Sequence, residues 1–202
     1  LRVSAPAVLA DRIVAPVVIE LLERHSGLRI DVWVTDRSVE PAREGFDVAL
    51  LLDPREDPSA RSRSLGQFTL YPVASPRFIA RYGRPDEPVD LVRFKCIGAS
   101  SEETWSFDEG EVRIEPTLAI NRWEVAREAA VQGIGIARLP VLLWQADYEA
   151  SELLPVLGKH PAGTSRLVAR YRASRYSHPT VRAFLNRLTL SLAALDPWPR
   201  GA

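Results

Sequence analysis

The sequence predicts an α/β fold of two lobes, and three stretches predict it. Asn121 to Pro140 (NRWEVAREAAVQGIGIARLP) reads as a helix start, a helix, a helix stop and a strand in twenty residues. Phe46 to Leu52 (FDVALLL) is a near-continuous apolar run, the pattern of a central strand buried on both faces. Leu28 to Thr35 (LRIDVWVT) alternates, with Leu28, Ile30, Val32 and Val34 on one face. Strands feeding helices through short loops recur in both halves, so the chain reads as two α/β lobes rather than one bundle or sandwich.

Taken in order, Leu1 to Ala5 is a short strand running into Pro6. A helix is centred on Val17 to Arg24. Pro16 fits its first turn, so either the helix starts near Ala15 or an earlier turn kinks there, and Gly27 is its stop. The alternating strand follows, then a short helix or turn at 36–44 stopped by Gly45, then the apolar run. Asp53 to Arg61 is a charged, proline-bearing loop and Arg63 to Ser75 is extended. Ser75 is the expected N-cap and Pro76 the first residue of a helix that Gly83 ends. After a loop, Asp90 to Lys95 is one turn and Cys96 to Ala99 a strand. Trp105 to Asp108 and Val112 to Leu118 flank Glu109-Gly110 as a hairpin. In the next unit Asn121 caps and Glu124 reaches back to it. Val125, Ala129, Ala130 and Ile134 form the apolar side, with Arg127, Glu128 and Gln132 opposite. Gly133 is the left-handed stop, and Ile134 to Leu139 the strand. Val141 to Tyr148 is a helix, Leu153 to Leu157 and Leu167 to Tyr171 are strands, and Pro179 to Leu195 is a long amphipathic helix before a tail.

Composition narrows the function. The 202 residues carry 26 basic and 26 acidic side chains, so nothing electrostatic favours nucleic acid. No apolar run spans a membrane and no signal peptide is visible. Cys96, flanked by Phe94 and Ile97, excludes an internal disulfide, reads as a small buried hydrophobe, and favours a cytoplasmic setting. The absence of any methionine, even at position 1, reads as a processed chain or a piece of a longer one. No nucleophile elbow, P-loop, dinucleotide fingerprint or zinc spacing is present, so no enzyme activity, cofactor or metal is expected. His25, His160 and His178 read as surface residues, Glu102-Glu103 and Asp108-Glu109 as solvated pairs.

Ligand binding is better supported. In open α/β sheets ligands collect at the carboxyl ends of strands, where helix amides point outward. Ser4 ends strand 1, Thr35 and Asp36 end strand 2, Asn121, Arg122 and Trp123 open the later helix, and Arg138 lies near the end of its strand. Each has a purely structural alternative: Ser4 and Asn121 as caps, Thr35 as one step of the alternation, Trp123 packed on a lobe surface, Arg138 as a solvated strand end.

LRVSAP at 1–6, TDRSVEPAREGFDVAL at 35–50, SLGQFTLYPVASPRFIARYGRP at 64–85, NRWEVAREAAVQGIGIARLP and HPTVRAFLNRL at 178–188, in this order and spacing, resemble the effector-binding domain of LysR-type transcriptional regulators. Trp105-Ser106-Phe107 resembles a large subgroup of them. The resemblance implies two Rossmann-like lobes of the type 2 periplasmic-binding-protein kind, with a cleft between them. Lobe I would be 1–72 plus 174–202 and lobe II 73–173. It further implies a small-molecule effector in that cleft, homodimers or homotetramers, and DNA contact only through an N-terminal winged helix-turn-helix that this chain lacks. Carried over by position, the effector contacts are Ser4, Pro6, Thr35 and Asn121 to Trp123. The chain departs from the subgroup at Leu51, where arginine is common, at Arg122 and Trp123, where a small or acidic residue and a glycine are common, and at Arg138, where leucine is common. Those departures suggest an anionic effector with Trp123 as a stacking face. A periplasmic solute-binding protein is the alternative with the same architecture.

Overall fold

The computed structural model describes residues 1–57, 60–99, 103–172 and 178–193. The chain divides into two compact units. The first comprises Leu1–Gln67 and the described part of 166–196, the second Phe68–Ser165. Both are α/β.

In the first unit β1 (Arg2–Ala5) is central, with β2 (Asp31–Val34) and β3 (Val48–Leu52) parallel to it on either side. Strand β11 (Thr164–Tyr171) runs antiparallel along β3 and pairs Arg170 with Ala49. The apolar run of β3 is buried as its composition requires, and Leu51 packs with Val39, Phe46 and Ala49. The first helical stretch is α1 (Ala7–Leu9), a π-helical turn (Ala10–Val14) and α2 (Ala15–Arg24). Pro16 falls in the first turn of α2. A proline ring clashes with the carbonyl four residues back, and the widened turn just before it opens room there. Of the two readings of Pro16, the structure thus has both: α2 starts at Ala15, after an irregular earlier turn. Helix α2 ends at Arg24 with His25 as C-cap, earlier than the expected stop at Gly27. α3 (Pro41–Glu44) ends at Gly45, whose φ of 80° is left-handed. α7 (Pro179–Ala193) buries Val181, Phe184, Leu185 and Leu188. The expected residues 194–195 of that helix, and the tail, lie outside the described residues.

The second unit begins within β4 (Arg61–Ala74), which pairs antiparallel with β9 (Ile136–Pro140) and with β10 (Leu154–Pro155). β5 (Cys96–Gly98) lies parallel between β9 and β8 (Pro116–Ala119). β6 (Glu103–Phe107) and β7 (Gly110–Ile114) form the hairpin. The sequence merged β7 and β8 into one strand. Pro116 carries no N–H for a continuing ladder, and the chain breaks at Glu115 and changes partner. α4 (Pro76–Tyr82) begins as expected, Ser75 Oγ accepting from the Phe78 amide at 3.4 Å. A 3-10 turn (Pro88–Arg93) precedes β5. Helices α5 (Trp123–Val131) and α6 (Val141–Glu149) flank β9. The core gathers Phe78, Leu91, Trp105, Ile114 and Ile136, among others, around buried Cys96. Burial pushes the Cys96 thiol up to about 12, so it packs as the small hydrophobe its neighbours suggest.

Two expectations about α5 fail. Its N-cap is Arg122, in extended conformation with no side-chain cap bond, so Asn121 stands one residue outside the helix and the Asn121–Glu124 box does not form. Its buried face is Ala126 and Ala130, while Val125 and Ile134 are exposed. The face turns by one residue because Arg127, read as solvent-facing, reaches inward to Asp147 of α6. Gly133 does stop the helix, with φ 74°.

Candidate functional site

Ser4 is buried near the end of the central strand β1, beside Trp33 of β2 and Ala49 of β3. Among the described residues its Oγ has no hydrogen-bond partner. A buried hydroxyl without a partner costs about 1–3 kcal/mol, so a native fold rarely keeps one without a use. Pro6 is the N-cap of α1, its carbonyl accepting from Leu9 and Ala10 at 3.1 Å. The Thr35 amide donates to the Ala5 carbonyl at 2.9 Å. Asp36 Oδ1 accepts from the Ala7 amide at 3.0 Å and so holds the first turn of α1. Ser4, Pro6, Thr35 and Asp36 thus gather where β1 and β2 end and α1 begins. The structure gives Asp36 a structural part in that arrangement.

In the second unit the Ile120 amide donates to Gly98 at 2.7 Å, fixing the point where β8 hands over to α5. Asn121 and Arg122 are exposed there and Trp123 is partly buried. Arg122 Nε lies 3.7 Å from Glu124. Arg138, on β9, is the residue whose surroundings differ most from the sequence reading. It is largely buried, paired with Glu103 of β6, and its guanidinium lies 5.7 Å over the ring of Trp105. Glu103 in turn accepts from the Ala99 amide. Arg138 is therefore no solvated strand end, and a carboxylate already offsets its charge. Sequence reasoning put Glu103 among solvated loop pairs, because only the pairing of β6 with β7 carries it to Arg138.

Gly133 and Gly135, either side of Ile134, each have a conformational part. Gly133 supplies the left-handed stop, and a Cβ on Gly135 would stand 2.7 Å from the Lys95 carbonyl oxygen. That glycine lets β9 approach β5. His160 Nδ1 contacts Glu109, whose carboxylate is held below its ordinary range first by its own backbone amide and then by the imidazole. Among the described residues no cluster of histidine, cysteine and carboxylate could hold a metal ion, and no helix is long and apolar enough to cross a membrane.

Parallel strands feeding helices in two units, with polar residues at strand ends, fit an α/β fold of the type 2 periplasmic-binding-protein kind. The chain matches the LysR substrate binding domain family over residues 1–192 and belongs to that family. It is 25% identical over 199 residues to the HTH-type transcriptional regulator CrgA of Neisseria meningitidis, covering 95% of this chain and 67% of that protein. It is 27% identical over 172 residues to an uncharacterized HTH-type transcriptional regulator of Haemophilus influenzae, covering 79% and 58%. The chain thus spans roughly three fifths to two thirds of the length of these relatives. The solved regulatory domain of CrgA, a LysR-type transcriptional regulator from Neisseria meningitidis, superposes with a TM-score of 0.84 at 24% identity, covering 95% and 98% of the two chains. The protein is an effector-binding domain of a LysR-type transcriptional regulator.

Proposed function

We propose that this domain senses a small anionic molecule and passes its binding to a DNA-binding head in the full-length regulator. The observation that carries the ligand reading is the Ser4 hydroxyl, buried and without a partner at a strand end. A polar ligand atom within reach would satisfy it. Leu1–Gln67 with the described residues from Arg166 onward act as lobe I and Phe68–Ser165 as lobe II. Ser4, Pro6 and Thr35 contribute from the first, with Asp36 holding the turn. Asn121, Arg122 and Trp123 contribute from the second, together with Arg138, which pairs with Glu103. Both cations stand beside carboxylates, Arg138 beside Glu103 and Arg122 beside Glu124, and the anion preference rests chiefly on Arg122 because it is the more exposed of the two, while Trp123 offers a flat face. The regulator works as a homodimer or homotetramer in the cytoplasm, and the curated relatives, transcriptional regulators, weigh against a transport role.

Calorimetric titration of a panel of small aliphatic and aromatic carboxylates tests this. A saturable binder is expected, weakened about tenfold by Ser4→Ala and by Arg122→Ala, the worth of one hydrogen bond to a charged group. Binding of neutral compounds alone, or unchanged affinity in Arg122→Ala, would overturn the anion reading.

A further inference from the structure

A cavity of about 360 Å³ is lined only by residues of the first unit, none of them among the residues assigned above. Its floor is built by strand alternation: Arg166, Val168 and Arg170 project from one face of β11, and Ser62 and Ser64 from one face of β4. Pro54 to Asp57, from the loop after β3, and Ala60 complete the lining. Arg170 is 8% exposed, and the hydrogen bond it makes is from Nη2 to the Arg55 carbonyl. Among the described residues no carboxylate is paired with its guanidinium, although Glu56 and Asp57 line the same cavity.

A guanidinium cannot shed its proton to escape burial, as a lysine or histidine can. A buried charge is ordinarily paired, and this one meets a single neutral carbonyl. It has five N–H donors in a rigid fork, shaped for two oxygens of one anion. Arg55 and Arg166 add positive charge at the rim, against Glu56 and Asp57, and two serine hydroxyls stand on the floor. The volume suits a metabolite-sized molecule. We propose that this cavity is a second anion site, taking the carboxylate or phosphate group of a small molecule, with Arg170 as the fixed donor. It does not depend on the effector assignment above.

The test uses inorganic phosphate and benzoate as separate probes, titrated into the chain at constant ionic strength by calorimetry and thermal unfolding. At least one probe is expected to bind saturably at one site outside the Ser4 and Arg122 set. Arg170→Met should lose that binding about tenfold or more, and Arg166→Gln, at an exposed position that tolerates change, should weaken it less. Ser4→Ala and Arg122→Ala should leave it intact. Saturation by phosphate alone assigns a phosphate group, by benzoate alone a carboxylate, by both a general oxyanion site. The proposal is overturned if neither probe saturates, or if folded Arg170→Met binds as the parent does. Should Arg170→Met fail to fold, unchanged binding in Arg166→Gln overturns it equally.

Discussion

Asp147 is almost wholly buried on α6, a position few carboxylates occupy without a cation. Arg127 of α5 meets it through both Nε and Nη2, and that bond raises the Arg127 pKa further. The pair ties α6 to α5, whose own buried residues are the small Ala126 and Ala130. Removing Arg127 alone strands a buried carboxylate. Arg127→Ala should therefore cost about 3 kcal/mol in urea unfolding. Arg127→Met with Asp147→Leu, which removes both charges and keeps the bulk, should recover most of it. A loss under about 0.5 kcal/mol for the single variant, the level of a surface pair, would mean that the contact does no more than an exposed one. Single residues were also the hardest to read from the sequence. Arg127, Glu103 and Arg170 each look like solvated charge in a linear chain. Each is turned inward by a partner or a strand register far away in sequence. A hint existed at Arg170, which interrupts the otherwise apolar Leu167 to Tyr171.

Elements whose ends are set by local chemistry were legible. Ser75-Pro76 opens α4, Gly83 and Gly133 stop helices, and both act within a few residues of themselves. The turn at Pro88–Arg93 shows the same local logic in its charge. Asp90 Oδ2 accepts from the amides of Asp86 at 3.0 Å and Glu87 at 3.1 Å. The Glu87 amide bond is the chief cause holding the Asp90 pKa below its ordinary value, with Arg93 assisting. A carboxylate with a lowered folded pKa stabilises the fold fully above its unfolded pKa of about 3.9 and loses that contribution as pH falls through the folded value. Asp90→Asn removes the charge and keeps the shape. It should lower the unfolding temperature at neutral pH, and the gap to the parent should close as pH drops below about 4. A gap that stays constant through acid would mean that the charge on Asp90 contributes nothing. Elements shaped by non-local pairing were less legible. β2 reads as a clean alternation, yet Val34 is exposed and only Val32 of its apolar set within the strand is partly covered, because β2 forms the sheet edge. Likewise the β7–β8 break depends on β8 finding β5.

At the scale of the molecule, the α/β class follows from local patterns, whereas the strand order β2-β1-β3 does not, since parallel neighbours are joined through crossovers rather than turns. That order leaves an unusual edge. β2 pairs with β1 on one side, and Trp33 and Val34, which point to opposite faces, are 54% and 57% exposed. Trp33 meets Phe46 edge-on at 6.1 Å and still leaves half its surface to solvent. Monomeric proteins blunt their edge strands with charge, proline or a covering segment. β2 offers Asp31 at its start, where Arg2 pairs with it at 3.0 Å, and among the described residues nothing of the kind is seen at Trp33 or Val34. The edge therefore suits a partner, and a second copy of the domain is the partner that the proposed homodimer supplies. Sedimentation of the chain should then give twice its 22.5 kDa mass. Trp33→Glu with Val34→Lys should return it to a monomer with its helix content intact, since neither side chain belongs to the buried core. A parent chain that sediments as a monomer, or a double variant that still pairs, would place the subunit contact elsewhere and leave the exposed edge of β2 to be covered by another part of the full-length regulator.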